Sequence, residues 1–229
     1  MTGTSIAAAL AALAALALTP RLWRSLRSGR EGRGAQAVIA DPCDSTSLDR
    51  STGAVRSVQA AEVFLPAEAL ARIWSPPHME RLARTYWRFL ARVTLGLIHV
   101  SYSEHERSIV LLVAPLKLLT FHAPEYELDP LRGLVRWRIA RGLLVARRGR
   151  DGGGYLQIEV TRHPGEDTAM AQLHVEVEVA NFYPSIASSI SRRIYDVTQS
   201  RIHVIITHAF LRSLARLDLA ESRVGRFGL

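Results

Sequence analysis

The chain holds one cysteine, Cys43, and one lysine, Lys117, among its 229 residues. A lone cysteine excludes an internal disulfide, a thiolate-ligated metal site and a CxxC redox pair. The sequence also lacks GxxxxGK[ST], a GxGxxG after a strand, HExxH and GxSxG, so nucleotide-cradling, dinucleotide-binding, zincin and hydrolase readings have no motif to stand on. No internal repeat of solenoid length occurs. The 8 histidines are scattered, and the only close pairs are His99 with His105 and His203 with His208. Neither spacing puts two imidazoles on one face with a carboxylate, so no metal and no cofactor are expected. With lysine almost absent, the net charge of +8 comes from arginine. Such a skew often follows from GC-rich coding, and no recognition motif accompanies it, so no nucleic-acid partner is expected.

Charge is missing altogether from residues 1–20, and residues 6–18 are an unbroken run of Ala, Leu and Ile. Such a segment suits a helix crossing the bilayer core. Arg21, Arg24, Arg27, Arg30 and Arg33 all follow it, and no basic group precedes it. By the positive-inside rule the expectation is a single-pass anchor in the inner (cytoplasmic) membrane with the remaining chain in the cytoplasm. A cleaved leader or an Ala-rich helix resting at the interface are the alternatives. Residues 21–57 read as a flexible basic linker, rich in Gly, Ser, Asp and Arg without an apolar period. Its arginines favour anionic headgroups by about 1 kcal/mol each. Cys43 follows Pro42 rather than a small apolar residue, so it is not read as lipidated.

In the body, residues 55–65 read as a strand closed by Pro66, and residues 67–74 as a short helix. Ser75 and two prolines then open a helix whose Met79, Leu82, Tyr86, Leu90 and Val93 recur at three- and four-residue steps. From Leu95 the period changes to two, and six strands with short connections follow: LGLIHVSYS, RSIVLLV, KLLTFHAPEYEL, GLVRWRIARGLLVA, YLQIEVTR and AMAQLHVEVEVANF. These predict an antiparallel meander, about seven strands in all. Alternation assigns Leu173, Val175, Val177 and Val179 to one face and His174, Glu176 and Glu178 to the other. Trp137 lies on the apolar face and Arg136 and Arg138 oppose it. Cross-strand Arg–Glu pairs on a wet outer surface are the expected use of these charges. Residues 185–217 then read as one long helix of roughly 50 Å.

That helix carries Ile186, Ile190, Ile194, Val197, Arg201, Val204, His208 and Leu211 on one stripe, so two polar groups sit inside an apolar face. Its latter half adds a second apolar side, Ile202, Ile206, Ala209 and Phe210, which fits burial under another element, a membrane, or a homodimer formed through this helix.

The element order, the passage VEVEVANFYPSIAS leading from last strand to last helix, and the helix stripe resemble the START-like superfamily of polyketide cyclases and lipid-transport proteins. The resemblance covers residues 58–220, leaving 221–229 as a tail, and rests on no short catalytic signature. It implies an α+β helix-grip fold, in which a curved antiparallel sheet wraps a long C-terminal helix and leaves an apolar cavity between them. The candidate ligand-binding residues are then Arg201, His208, Val197, Val204 and Leu211 on the helix and Trp137 on the sheet. Arg201 would pair with a carboxylate or phosphate, and His208 would orient a hydroxyl or act as acid or base. Equally, Arg201 would reach a buried glutamate or the helix edge, and His208 would be a satisfied core histidine. The expected function is binding or transport of a hydrophobic or amphiphilic small molecule, such as a lipid, at the membrane, with no catalytic residue assigned. A cyclase or dehydratase using His208 and a non-catalytic interaction module at the membrane are the alternatives.

Overall fold

The structure is a computed structural model describing residues 38–94, 96, 98–111, 116–163 and 169–185. The fold class is α+β: nine strands and two helices among the described residues, with every strand pair antiparallel. The strands are β1 (Val38–Leu48), β2 (Val55–Pro66), β3 (Ile98–Tyr102), β4 (Glu106–Leu111), β5 (Leu116–His122), β6 (Glu125–Leu128), β7 (Arg132–Arg141), β8 (Tyr155–His163) and β9 (Met170–Phe182). The helices α1 (Ala67–Ile73) and α2 (Pro76–Val93) lie between β2 and β3 in sequence.

The sheet runs β1-β2-β9-β8-β7-β5-β4-β3, with β6 also paired to β7. One strand in from the β1 edge is the β2–β9 ladder, which joins segments distant in sequence: Ala61 faces Val175 and Val63 faces Leu173. The expected face assignment matches the burial pattern through Val177; beyond it Val179 is only half-buried and Glu178, expected on the wet face, is buried. Val175 and Val177 are at most 1% exposed, and Leu156, Ile158 and Val160 of β8 are buried beside them. One sheet face is therefore a continuous apolar floor, and α2 lies against it. Met79 sits over Gly133, where any Cβ would come within 2.9 Å of its sulfur. Further along the helix, the Trp87 ring meets Trp137 of β7 at 5.1 Å and Phe121 of β5 at 5.6 Å.

Three expectations need correction. Residues 38–48, inside the stretch read as linker, form β1, which is exposed at nearly every described position. Its composition carries no alternation because neither face is buried. It is held by the backbone groups of β2, whose free edge it satisfies. The strand read as KLLTFHAPEYEL is two, β5 and β6, because Pro124 has no N–H to give the ladder. Both halves flank the same side of β7. The expected count of about seven strands thus becomes nine. The strand read through GLVRWRIARGLLVA ends at Arg141, because Gly142 takes φ +150° and passes so close to β5 that a Cβ would lie 2.3 Å from the Leu118 carbonyl oxygen. No side chain fits there.

Ser75 precedes α2 with extended backbone and two prolines follow it in the first turn, as expected, although its hydroxyl makes no capping bond to the helix backbone. Met79, Leu82, Tyr86 and Leu90 are buried, as the spacing requires. The expected C-terminal helix and the expected anchor at residues 1–20 lie outside the described residues. Among the described residues, no helix is long and apolar enough to cross a membrane.

Candidate functional site

Where α1 and the start of α2 pass over the sheet, they leave a hollow of about 60 Å³. Its floor comes from period-two positions: Val63 and Leu65 of β2, Val160 of β8, Leu173 and Val175 of β9. Register brings these together, since Val63 faces Leu173 and Val160 faces Val175. Its roof comes from Leu70 and Ile73 of α1, Trp74 after it, and Met79 and Leu82 one turn apart on α2. The volume is several times the roughly 10–15 Å³ that one water needs, yet an apolar wall gives a water few partners. It is well below the roughly 300–1,000 Å³ of pockets that enclose a whole drug-sized ligand. A chain end or a small ring fits it.

Two polar groups edge this hollow. The Trp74 indole donates to the Asp129 carbonyl oxygen at 2.8 Å, which fixes the ring. The His78 imidazole lies 2.8 Å from the Ser75 hydroxyl through Nδ1, and burial followed by the charge of Arg81 pulls its pKa below the usual histidine range. His78 therefore enters neutral solution uncharged, and the wall stays apolar. On the same sheet face, Gln59 is 1% exposed. Its amide donates to Ser57 Oγ at 2.9 Å, and that hydroxyl lies 2.9 Å from Thr46 of β1. Its carbonyl oxygen meets no hydrogen-bond partner among the described residues. A buried acceptor in that state is costly, by about 1–3 kcal/mol, until a donor reaches it.

Of the residues singled out from sequence, Trp137 lies on the apolar face as expected, 1% exposed and packed edge-on against Trp87. It is not brought to the hollow under α1. Val197, Arg201, Val204, His208 and Leu211 lie outside the described residues. Sequence reasoning missed the hollow because it requires knowing which strands lie beneath α1. The signal available was the repeated apolar spacing of Leu70, Ile73, Met79 and Leu82 ahead of the strands.

The opposite face carries the expected charge pairs. Arg132 grips Glu159 through two nitrogens at 2.7 and 3.0 Å, Arg138 meets Glu125 at 2.6 Å, and Arg56 meets Glu178 at 2.7 Å. Glu178 is buried at 7% exposure and also accepts from Tyr155 at 2.9 Å. Burial and then the Glu178 charge raise the neighbouring Glu176 above the usual carboxylate range. Glu159 goes the other way, lowered first by the Arg132 hydrogen bond. A depressed carboxyl contributes stability that is complete above its unfolded pKa and is lost as pH falls through the folded value. Stability is therefore expected to fall on acidification below about pH 4.5, and Glu159→Gln to flatten that fall in urea unfolding followed at stepped pH. The pair is partly wet, so the change is on the order of 0.5–1 kcal/mol; an unchanged acid limb would rule the pair out as a contributor.

The same face gathers a group that spacing alone did not suggest, Glu62, His163 and His174, whose ligating atoms all lie within 4.8 Å of one another. Glu62 faces His174 across the β2–β9 ladder, and the imidazole Nδ1 lies 2.6 Å from the carboxylate. Burial pushes the Glu62 carboxyl up, but the hydrogen bonds from His174 and Gln172 and the charges of both histidines outweigh it and hold it below the usual range.

No protein-family model matches the chain, and no curated protein does. Solved structures with some likeness include protein CV1439 from Chromobacterium violaceum, with TM-score 0.31 and 16% identity over 69% of this chain and 95% of that one. CalU16 from Micromonospora echinospora aligns at TM-score 0.25 and 9% identity over 80% of this chain and 100% of its own. Human STARD10 aligns at TM-score 0.27 and 9% identity over 87% of this chain and 82% of its own. These likenesses are too distant to place the chain in any of their families.

Proposed function

We propose that the chain binds the apolar end of a hydrophobic or amphiphilic small molecule, lipid-like or polyketide-like, on the apolar face of its sheet in a helix-grip arrangement. The observation that carries this reading is the hollow of about 60 Å³ whose floor and roof are apolar side chains from five separate elements. Closed cores pack to near-crystal density, so an unfilled apolar space of this size under two helices is free energy left unused. A ligand methyl or ring recovers it. The buried carbonyl oxygen of Gln59, without a partner among the described residues, adds a place on that face where a ligand hydroxyl or amide would be held. The polar head would be met by Arg201 and His208, which the sequence sets two turns apart on an otherwise apolar helical stripe, with Val197, Val204 and Leu211 alongside. On this proposal residues 1–20 anchor the chain at the cytoplasmic membrane, next to a source of such molecules. The reading needs no catalytic residue.

Extraction of the purified protein with organic solvent, followed by mass spectrometry of the extract, tests this. A discrete amphiphile recovered near one equivalent per chain is expected, and Arg201→Leu is expected to lose an anionic one while remaining folded. A clean extract, together with no saturable uptake of added fatty acids or sterols, would overturn the proposal.

A further inference from the structure

The geometry points to a divalent-metal site on the outer face of the sheet, formed by Glu62 of β2, His174 of β9 and His163 of β8, with zinc-class ions as its ligand. These three strands are consecutive in the sheet. Side chains facing one another across such a ladder stand about 4.5–5.5 Å apart at Cβ, close enough for their tips to converge on one ion. Glu62 and His174 are direct cross-strand partners, and His163 faces Gln172, one step along the same side of β9. The two imidazole rings are 6.4 Å apart at their centroids and inclined by 76°. Their nitrogens and the carboxylate already fall within 4.8 Å of one another. Bonds of about 2.0–2.1 Å to a tetrahedral ion require ligand separations near 3.3 Å. Small rotations about side-chain bonds close that gap, since His163 is exposed and neither other group is fully enclosed.

The donor set decides the ion. Two imidazoles and one carboxylate suit zinc and the later first-row metals, whereas magnesium and calcium want oxygen ligands. A support group is present as well: Gln172 donates to the second Glu62 oxygen at 3.1 Å and would hold the carboxylate's orientation. The Glu176 carboxylate lies 4.0 Å from the other nitrogen of His174, placed to accept from it once Nδ1 is committed to the metal. On binding, the neutral His174 ring carries its one proton on Nε2, facing Glu176, which leaves the Nδ1 lone pair for the ion, and water completes the fourth position. Glu62 lies 112 residues from His174 in sequence, so the full ligand set exists only in the folded chain, and the ion clamps the ladder that joins β2 to β9. This face is opposite the hollow, and the site stands whether or not that hollow takes a ligand.

The test is thermal unfolding and isothermal titration of the tag-free full chain with zinc chloride, with magnesium chloride as control. One zinc ion per chain at this site and a rise in unfolding temperature of several degrees are expected, with no response to magnesium. His163→Ala should weaken zinc binding at least tenfold while leaving the metal-free unfolding temperature unchanged, because its side chain is exposed. Glu62→Gln should do the same to zinc while keeping a hydrogen-bonding group at the ladder. Cobalt should give the intense visible absorption of a four-coordinate site, lost in His163→Ala. No thermal response to zinc, or a response that survives both substitutions, would overturn the site, the latter placing the ion on histidines elsewhere in the chain.

Discussion

Trp87→Ala is expected to destabilise the protein by about 3–5 kcal/mol, the cost of emptying a buried aromatic position. Trp87 is 4% exposed and sits where α2 crosses the sheet. Its ring meets Tyr86 at 5.3 Å, Trp137 at 5.1 Å and Phe121 at 5.6 Å. It therefore couples the helix to β7 and to β5. Those two strands share only a short ladder, Thr120 with Arg141 and Phe121 with Ile139, so side-chain packing carries more of the join than backbone bonds do. Trp87→Phe separates volume from polarity. The indole N–H is buried without a partner among the described residues. Phenylalanine removes that unmet donor while keeping most of the apolar ring, so its cost is expected to be less than half that of alanine. Urea unfolding of both variants measures this; a loss below about 1 kcal/mol for alanine would mean the aromatic group does not join the layers.

The second large effect concerns binding. Val175→Phe is expected to reduce uptake of a hydrophobic ligand at least tenfold while changing stability by less than about 1.5 kcal/mol. Val175 is 1% exposed on β9, where its side chain forms part of the floor of the hollow. A larger side chain in a filled core forces strain on its neighbours. Here it has an unfilled space of about 60 Å³ to enter. The phenyl ring would take the place proposed for the ligand's apolar end. Leu70→Phe intrudes from α1 on the opposite wall and should act in the same direction, which guards against a local distortion of β9. Wild-type affinity in both variants, with native circular dichroism, would move the binding site elsewhere on the chain.

Much of this fold is written in short-range pattern. Strict alternation from Ala171 to Val177 assigns β9 its faces, and the three- and four-residue steps from Met79 to Leu90 assign α2 its buried side. What pattern cannot show is pairing between distant segments. β1 has no buried face and so no alternation; it exists because β2 offers an unpaired edge. The break between β5 and β6 was readable at Pro124, but its consequence, two strands sharing one flank of β7, was not. The stop at Gly142 depends on a neighbouring carbonyl that comes from Leu118, more than twenty residues earlier. The grouping of Glu62 with His163 and His174 is half legible. His163 directly follows the expected strand YLQIEVTR and His174 lies in the next one, AMAQLHVEVEVANF, yet Glu62 reaches them only through the β2–β9 ladder. The hollow is a feature of layers and not of any segment, and the polar pair Arg201 and His208 is a sequence reading about residues beyond those the structure describes.

Methyl-resolved NMR of the full chain, recorded while adding the extracted amphiphile or a medium-chain fatty acid, tests the central claim most directly. Saturable shifts are predicted for the methyl groups of Val63, Leu70, Leu173 and Val175, which wall the hollow, with Ile139 and Val135 unmoved. Saturable shifts confined to methyls away from that wall, or none at all, would contradict it.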